Sequence, residues 1–289
     1  MKPMFGKLLI TAGVLICCLF LVKDVFAERL FPLNGTEAES ASVSPREISS
    51  LAVSSEQMDV KIIAETRNDI AAHVTGQSGK LFVRSQGKTL NLTAKEKGFQ
   101  FLNVFHRSIL IVRIPYEYKQ DITVRSSSGN IEVDGNRGLG LAHLGVRSSS
   151  GSMTLKKVRA ETFEAKGLSG HLIASDLAAK TANVRSSSGN VNLHHVAGAF
   201  NVLVTSGNVN ASLQEANAPA SVRLTSGSAA ISLPKDGDFT VNAESASGNI
   251  KSSYSFDETH QEGERLTGVK GNGAQPIEIK VTSGNVALQ

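Results

Sequence analysis

Residues 124–130 read VRSSSGN, and nearly the same phrase returns at 146–152 and at 184–190. Looser copies of it centre on five further glycines, which are Gly170, Gly207, Gly227, Gly248 and Gly284. From the first copy to the one at residue 248, the motif glycines recur with a mean spacing of about 20 residues. A short fixed period is typical of a solenoid, in which each repeat covers the apolar side of its neighbour.

The residues around each motif glycine alternate in character. All eight copies are apolar five residues before the glycine and two residues after it, and seven are apolar four residues after it. Because successive side chains of a strand point to opposite faces, this pattern predicts a strand, a corner and a second strand. An array of ordinary hairpins would need two-residue loops, and a propeller would need about 40 residues per blade. We therefore predict an all-β fold, a parallel β-solenoid of about eight coils of roughly 20 residues each.

The corner residues are predicted to be structural. Glycine tolerates crowded or left-handed backbone, Ser precedes it in every copy, and Asn follows it in five. In a parallel stack with strands about 4.8 Å apart, equivalent Ser and Asn side chains would form ladders from coil to coil. The predicted turn and ladder residues are Gly129, Gly151, Gly170, Gly189, Gly207, Gly227, Gly248, Gly284, Asn130, Asn190, Asn208, Asn249 and Asn285.

The first 27 residues form a hydrophobic targeting segment. Lys2 and Lys7 precede an apolar run over residues 8–22, and small residues around Ala27 suit signal peptidase. A cleaved signal peptide and a single-pass transmembrane anchor both fit, and either predicts a domain outside the cytoplasm, membrane-anchored or secreted. Cys17 and Cys18 both lie in this segment, so the exported part has no disulfide.

The rest of the chain divides by composition. Residues 28–47 are polar and without apolar periodicity, which predicts a flexible stalk. Residues 48–289 form the β-solenoid domain: residues 48–119 are a less regular region that leads into the repeats and caps them, and residues 120–289 carry the repeats. A polar, Gly-rich gap at 252–276 predicts a loop excursion before the last coil.

The position four residues before the motif glycine is basic in six of eight copies and should point outward. Stacked strands would align these residues into a basic column that attracts a polyanion, such as an anionic cell-wall polymer or lipid headgroups. The alternative is that these cations only solvate the face and oppose aggregation. Leu203 and Glu244 interrupt the series. The predicted basic column is Arg125, Arg147, Lys166, Arg185, Arg223 and Lys280.

Other candidate chemistry is weak. Eight equivalent Ser residues, one before each motif glycine, indicate architecture rather than a nucleophile, which needs a positioned base. His194 and His195 are adjacent and should point to opposite faces of a strand, so no metal site is predicted. The acidic stretch 257–264 lacks a calcium-binding pattern. The Phe residues at 99–105 could contact lipid or cap the open end of the core. The formal net charge of +4 is too mild to imply a nucleic-acid partner.

The Ser-Gly-Asn repeats, Ile114-Pro115 ahead of the first one, and the closing segment 277–286 resemble the bacterial DUF4097 family of YvlB-like β-strand-repeat adhesins. The resemblance covers residues 48–289. It implies an extracytoplasmic, non-enzymatic β-solenoid of the cell envelope, without catalytic residues or a cofactor. The function expected is a binding or scaffold protein; the alternative is an accessory or sensory protein in envelope-stress signalling that contacts a membrane protein.

Overall fold

The computed structural model describes residues 36–76, 79–96 and 108–289. These residues form β-strands, with one 3-10 turn at Pro45–Glu47. The strands before the first Gly motif are β1 (Thr36–Ala38), β2 (Ser40–Val43), β3 (Ser50–Ser55), β4 (Asp59–Glu65), β5 (Ile70–Thr75), β6 (Gly79–Gln86), β7 (Thr89–Glu96), β8 (Ile109–Pro115) and β9 (Asp121–Ser126). The strands after it are β10 (Ile131–Ser148), β11 (Met153–Ser169), β12 (Leu172–Ser188), β13 (Val191–Ser206), β14 (Val209–Leu213), β15 (Ala220–Ser226), β16 (Ala229–Ser232), β17 (Phe239–Ser245), β18 (Ile250–Ser252), β19 (Glu258–Glu262), β20 (Arg265–Lys270), β21 (Gln275–Ser283) and β22 (Val286–Leu288).

The repeats stack in parallel, as the alternation predicts. The buried apolar residue five before each glycine lies opposite its counterpart in the next coil; Val124 pairs with Val146, and Val146 pairs with Ala165. The same register continues from Ala165 through Val184 to Val202. The chain is therefore an all-β protein with a long mixed sheet, and its core is a stack of apolar rungs.

Each regular coil has three sides. Along β11 the buried positions are Met153 and Leu155, then Val158 and Ala160, then Phe163 and Ala165. The two-residue alternation shifts phase between these pairs, so the strand bends twice while each side keeps one face inward. The first bend places a non-glycine residue in the left-handed region, and these residues are Asn136, Lys157, Asp176 and His195, with φ between 52° and 54°.

The order of coils in space differs from their order in sequence. β15 pairs in parallel with β21, and β21 pairs in parallel with β17, so β21 lies between two strands that precede it in the chain. In the same way β22 lies between β16 and β18. The last coil of the sequence is thus inserted between the Gly227 and Gly248 coils.

The gap at 252–276 is not the loop excursion predicted from its composition. It contains the β19–β20 hairpin, and β20 pairs antiparallel with β17 at the end of the stack. Leu266 of β20 is buried, and Phe256 packs over Gly268. Because β20 covers the outer edge of β17, the strand that follows it, β21, pairs with the opposite edge of β17.

Residues 48–65 are a full member of the stack rather than an irregular lead-in. β3 pairs in register with β9, and β4 with β10, so Val53 lies opposite Val124 and Val60 opposite Ile131. β7 and β8 then continue the two sheets outward from β3 and β4. The Phe residues at 99–105 lie outside the described residues.

Part of the predicted stalk is folded. β1 pairs antiparallel with β6, and β2 pairs antiparallel with β5, so residues 36–43 close two sheet edges. Ser42 Oγ also donates a hydrogen bond to Asp69 Oδ2 at 2.6 Å. Residues 28–35 of the predicted stalk, and the targeting segment 1–27, lie outside the described residues. Within the described ranges, no helix is long and apolar enough to cross a membrane.

Candidate functional site: an outward row of cations

The Gly corner, meaning the motif glycine with the residue on each side of it, is shaped by close contact between coils. A Cβ added to Gly129 would overlap the carbonyl oxygen of Met58, and one added to Gly151 would overlap that of Gly129. The remaining six motif glycines make the equivalent contact with the preceding corner in space and also have φ between 120° and 153°. Close approach at all eight glycines, and positive φ at six of them, explain why glycine occupies the turn.

The same contacts show that the last coil lies between the Gly227 and Gly248 coils. Gly284 approaches the carbonyl oxygen of Gly227, and Gly248 approaches that of Gly284. Met58 takes the glycine position in the first coil of the series. The spacing of Val53, Ser55, Val60 and Ile62 equals that of Val124, Ser126, Ile131 and Val133, which is the sequence signal that could have revealed this coil.

The residues that follow the motif glycines link neighbouring coils through hydrogen bonds from a backbone N–H to a side-chain acceptor. Asn190 Oδ1 accepts a hydrogen bond from the backbone N–H of Asn208 at 3.0 Å, and Asn208 Oδ1 accepts one from that of Ser228 at 3.0 Å. Asn285 Oδ1 accepts one from Asn249 N–H at 3.0 Å. Asp59, Asn130, Ser152 and His171 serve as acceptors in the other coils. Asn is therefore only the commonest of the four residue types that supply an acceptor atom at this position.

The residues four before each glycine do lie in one row across adjacent strands. Arg125 is opposite Arg147, Arg147 is opposite Lys166, and Lys166 is opposite Arg185. We call Arg125, Arg147, Lys166 and Arg185 the four-cation row. At about 4.8 Å per strand it extends for about 14 Å. Arg147, Lys166 and Arg185 are exposed.

The rest of the basic column is broken and partly neutralised. Arg185 is followed by Leu203, then Arg223, Lys280 and finally Glu244 in the order of the stacked strands. Arg223 pairs with Glu278 at 3.0 Å, and Arg265 of β20 pairs with Glu244 at 3.3 Å. By contrast, Arg147, Lys166 and Arg185 form no ion pair with any residue in the described part of the chain.

Cations on another side of the coils have acidic partners. Glu132 lies between Lys61 and Lys156, at 3.2 Å and 3.4 Å, and Lys180 pairs with Glu161 at 3.7 Å. On the face of the four-cation row, Glu164 is exposed two residues before Lys166, but it forms no ion pair with a described residue. The row is therefore a cluster of like charge, whereas Lys61, Lys156 and Lys180 on another side are paired with carboxylates.

Shifted pKa values occur at the two ends of the stack. Hydrogen bonds from Ser42 and Arg67 lower the pKa of Asp69, and burial together with the charge of Arg113 lowers the pKa of His73. At the other end, a 2.8 Å hydrogen bond from Lys270 and one from Gly271 N–H lower the pKa of Asp257. These groups stabilise strand ends and turns, and none of them lies in a pocket together with a nucleophile.

His194 and His195 lie at the left-handed bend of β13, and both are exposed. The expectation that they point to opposite faces is wrong, because the bend interrupts the strand alternation. His195 Nδ1 is 3.4 Å from Asp176 Oδ1 of the preceding coil. Within the described ranges, no three His, Cys, Asp or Glu side chains group as metal ligands. Most of the acidic stretch 257–264 lies on the exposed strand β19.

The family model described as Toastrack DUF4097 matches residues 48–289. The chain belongs to the DUF4097 family. Among solved structures, a putative adhesin from Bacteroides fragilis NCTC 9343 is similar, with a TM-score of 0.51 and 10% identity over 89% of this chain and 99% of that one. A putative cell adhesion protein from Clostridium sporogenes ATCC 15579 has 14% identity over 88% of this chain and 99% of that one, with a TM-score of 0.33. No curated protein matches this chain.

At these identities the similarity concerns the fold. The DUF4097 match covers both the repeats and the region of 48–119, which agrees with the continuous register from β3 through β13. The chemistry of the four-cation row has to be argued from this chain's own residues.

Proposed function

We propose that this protein is a non-enzymatic binding module of the bacterial cell envelope, which works outside the cytoplasm and engages an anionic polymer through its four-cation row. The proposal rests on a row of four cations on adjacent strands. Three of them, Arg147, Lys166 and Arg185, form no ion pair with a described residue. The adhesin names of the structural neighbours agree with a binding role. The charged and apolar pattern of residues 1–27 supports export.

Electrostatics explains why such a row suits a polymer. Two unit charges 4 to 5 Å apart repel by about 1 kcal/mol in water. A folded protein that keeps Arg147, Lys166 and Arg185 in line bears this cost unless a ligand offsets it. A chain of regularly spaced phosphates or carboxylates neutralises several cations at once, so its affinity exceeds that of a single anion. A row about 14 Å long spans two or more such groups.

The experiment compares two variants that each lose three positive charges. The row variant carries Arg147→Gln, Lys166→Gln and Arg185→Gln. The matched control carries Lys156→Gln, Arg159→Gln and Lys180→Gln, which are exposed cations of the same coils on other sides. Binding to lipoteichoic acid, to vesicles containing phosphatidylglycerol and to neutral dextran would be measured by sedimentation or calorimetry.

We expect the row variant to bind the polyanion about 100-fold more weakly, at about 1 kcal/mol per lost contact. The control should remain within about threefold of the wild type, because its three cations lie on other sides of the coils, and Lys156 and Lys180 already have acidic partners. Equal losses in the two variants would mean that only net charge matters. No loss in the row variant would refute the proposal and favour the alternative of a membrane-protein partner.

A further inference from the structure

A groove of about 280 Å³ lies beside the basic column on the outer face of the same sheet. It crosses four adjacent strands, β12, β13, β15 and β21. The outward residues that form it are short: Thr181 lies opposite Ala199, and Asn183 lies opposite Asn201. On the next strand Pro219 and Ser221 continue the same two positions. The long side chains of the column therefore stand along one wall of a trough of small residues.

The interruption of the column lies next to the groove. Leu203 lies between Arg185 and Arg223 in register, two residues along the strand from Asn201. Arg223 is held by Glu278, which lines the groove from the far side. Arg185 is exposed and has no ion pair with a described residue. The guanidinium of Arg185 and the apolar side chain of Leu203 thus stand beside the groove, two residues along their strands from Asn183 and Asn201, and Glu278 supplies a carboxylate to its lining.

Two polar side-chain atoms of the groove lack a hydrogen-bond partner in the described part of the chain. Asn201 Oδ1 and Ser221 Oγ are buried and have no hydrogen-bond partner among the described residues. They lie side by side on neighbouring strands, where Asn201 pairs with Ser221. A buried polar atom without a partner is unfavourable. A ligand whose hydroxyl groups bond to these atoms after a small side-chain rotation would remove this cost. Buried Phe200 and exposed Pro219 add apolar surface.

We propose that this groove binds a sugar unit of an anionic glycan, with its carboxylate at Arg185 and its hydroxyl groups at Asn201, Ser221 and Glu278. Arginine binds carboxylates in a bidentate manner, and the C–H faces of a sugar ring pack on apolar side chains such as Leu203 and Pro219. A bare polyphosphate offers neither hydroxyl groups nor an apolar face. This inference rests on the proposed function, because it names the polymer class that the column would receive.

The test uses the full chain and three soluble probes: oligogalacturonate as the carboxylated glycan, malto-oligosaccharide as its neutral counterpart, and polyphosphate. Ala199→Tyr fills the groove without changing charge. Thr162→Tyr is the matched control, because Thr162 occupies the equivalent register position two coils away, outside the groove. Asn201→Asp is a near-isosteric second variant that adds a negative charge at the sugar position. Thermal unfolding of each variant establishes that it is folded.

We expect Ala199→Tyr and Asn201→Asp each to weaken oligogalacturonate binding at least tenfold. Ala199→Tyr should leave polyphosphate binding within twofold, and Thr162→Tyr should match the wild type with both probes. If both groove variants bind oligogalacturonate as the wild type does, or if the neutral probe binds equally well, the groove proposal is wrong while the column proposal stands. If no polyanion binds the wild type, both proposals fail.

Discussion

The Gly corner and the four-cation row repeat with the same period, but different physical constraints fix them. At the corner, one backbone approaches the next so closely that a side chain would overlap a carbonyl oxygen, as at Gly189 against Gly170. At the row, side chains point to solvent, and the stack accepts Arg, Lys, Leu or Glu at the equivalent position. Regularity at the corner is therefore required by the fold, whereas a run of four cations in the row is not.

This difference separates substitutions that unfold the protein from substitutions that change what it binds. A change at the corner alters every contact between two coils. A change in the row removes a charge and leaves the backbone hydrogen bonds in place. The predictions that follow test this separation, beginning with the largest effect.

Among these predictions, the largest loss of stability is expected for Gly189→Ala. Its Cβ would overlap the carbonyl oxygen of Gly170, and its φ of 124° is unfavourable for alanine. We expect a loss of more than about 3 kcal/mol in the free energy of unfolding, by analogy with other overpacked and strained sites. Chemical denaturation followed by circular dichroism measures it.

Gly140→Ala is the control for that substitution. A Cβ at Gly140 meets no atom within 4 Å, and its φ lies outside the left-handed region. We expect stability to be unchanged or raised by about 0.5 kcal/mol, because alanine restricts the unfolded chain. Similar losses for both variants would show that close approach at the corner is not the cause.

The order of the column can be tested by cross-linking. Arg223 is adjacent to Lys280 across paired strands, whereas the inserted coil separates Arg223 from Glu244. With Cys17 and Cys18 replaced by Ser, the pair Arg223→Cys and Lys280→Cys should form a disulfide readily, since adjacent strands meet its geometric range. The pair Arg223→Cys and Glu244→Cys should not. The reverse result would mean that the coils stack in the order of the sequence.

The ladder should show a smaller effect. Asn190→Ala removes the acceptor for Asn208 N–H, and we expect a loss of about 1 kcal/mol by thermal or chemical unfolding. Asn249→Ala is the matched control, since Asn249 donates through its backbone to Asn285 at the last rung of the described ladder. Equal losses would indicate that Asn contributes through turn conformation instead of the ladder.

The sequence contains enough information for the regular coils. The apolar positions flanking each motif glycine predict parallel stacking, and the register from Val124 to Val202 confirms it. The Asn ladder was also predictable, because identical side chains at one corner must align when the coils stack. These features depend on local spacing, which a single sequence displays.

Features that depend on long-range pairing were not predictable in the same way. The Gly284 coil carries the same pattern as the others, so nothing local tells whether it follows or precedes the Gly248 coil. The first coil was missed because Met58 replaces the glycine and Asp59 replaces the Asn. The groove at Ala199 and Asn201 arises from short outward residues on four strands, and only the register brings them together.

The salt dependence of binding tests the central claim most directly. A polyanion that neutralises several cations binds with an affinity that falls linearly with salt on logarithmic axes, with a slope of about −0.7 to −0.9 per cation. The variant with Arg147→Gln, Lys166→Gln and Arg185→Gln should have a slope shallower by about 2 with lipoteichoic acid, while the Lys156, Arg159 and Lys180 variant keeps the wild-type slope. Identical slopes for the wild type and both variants would contradict the account.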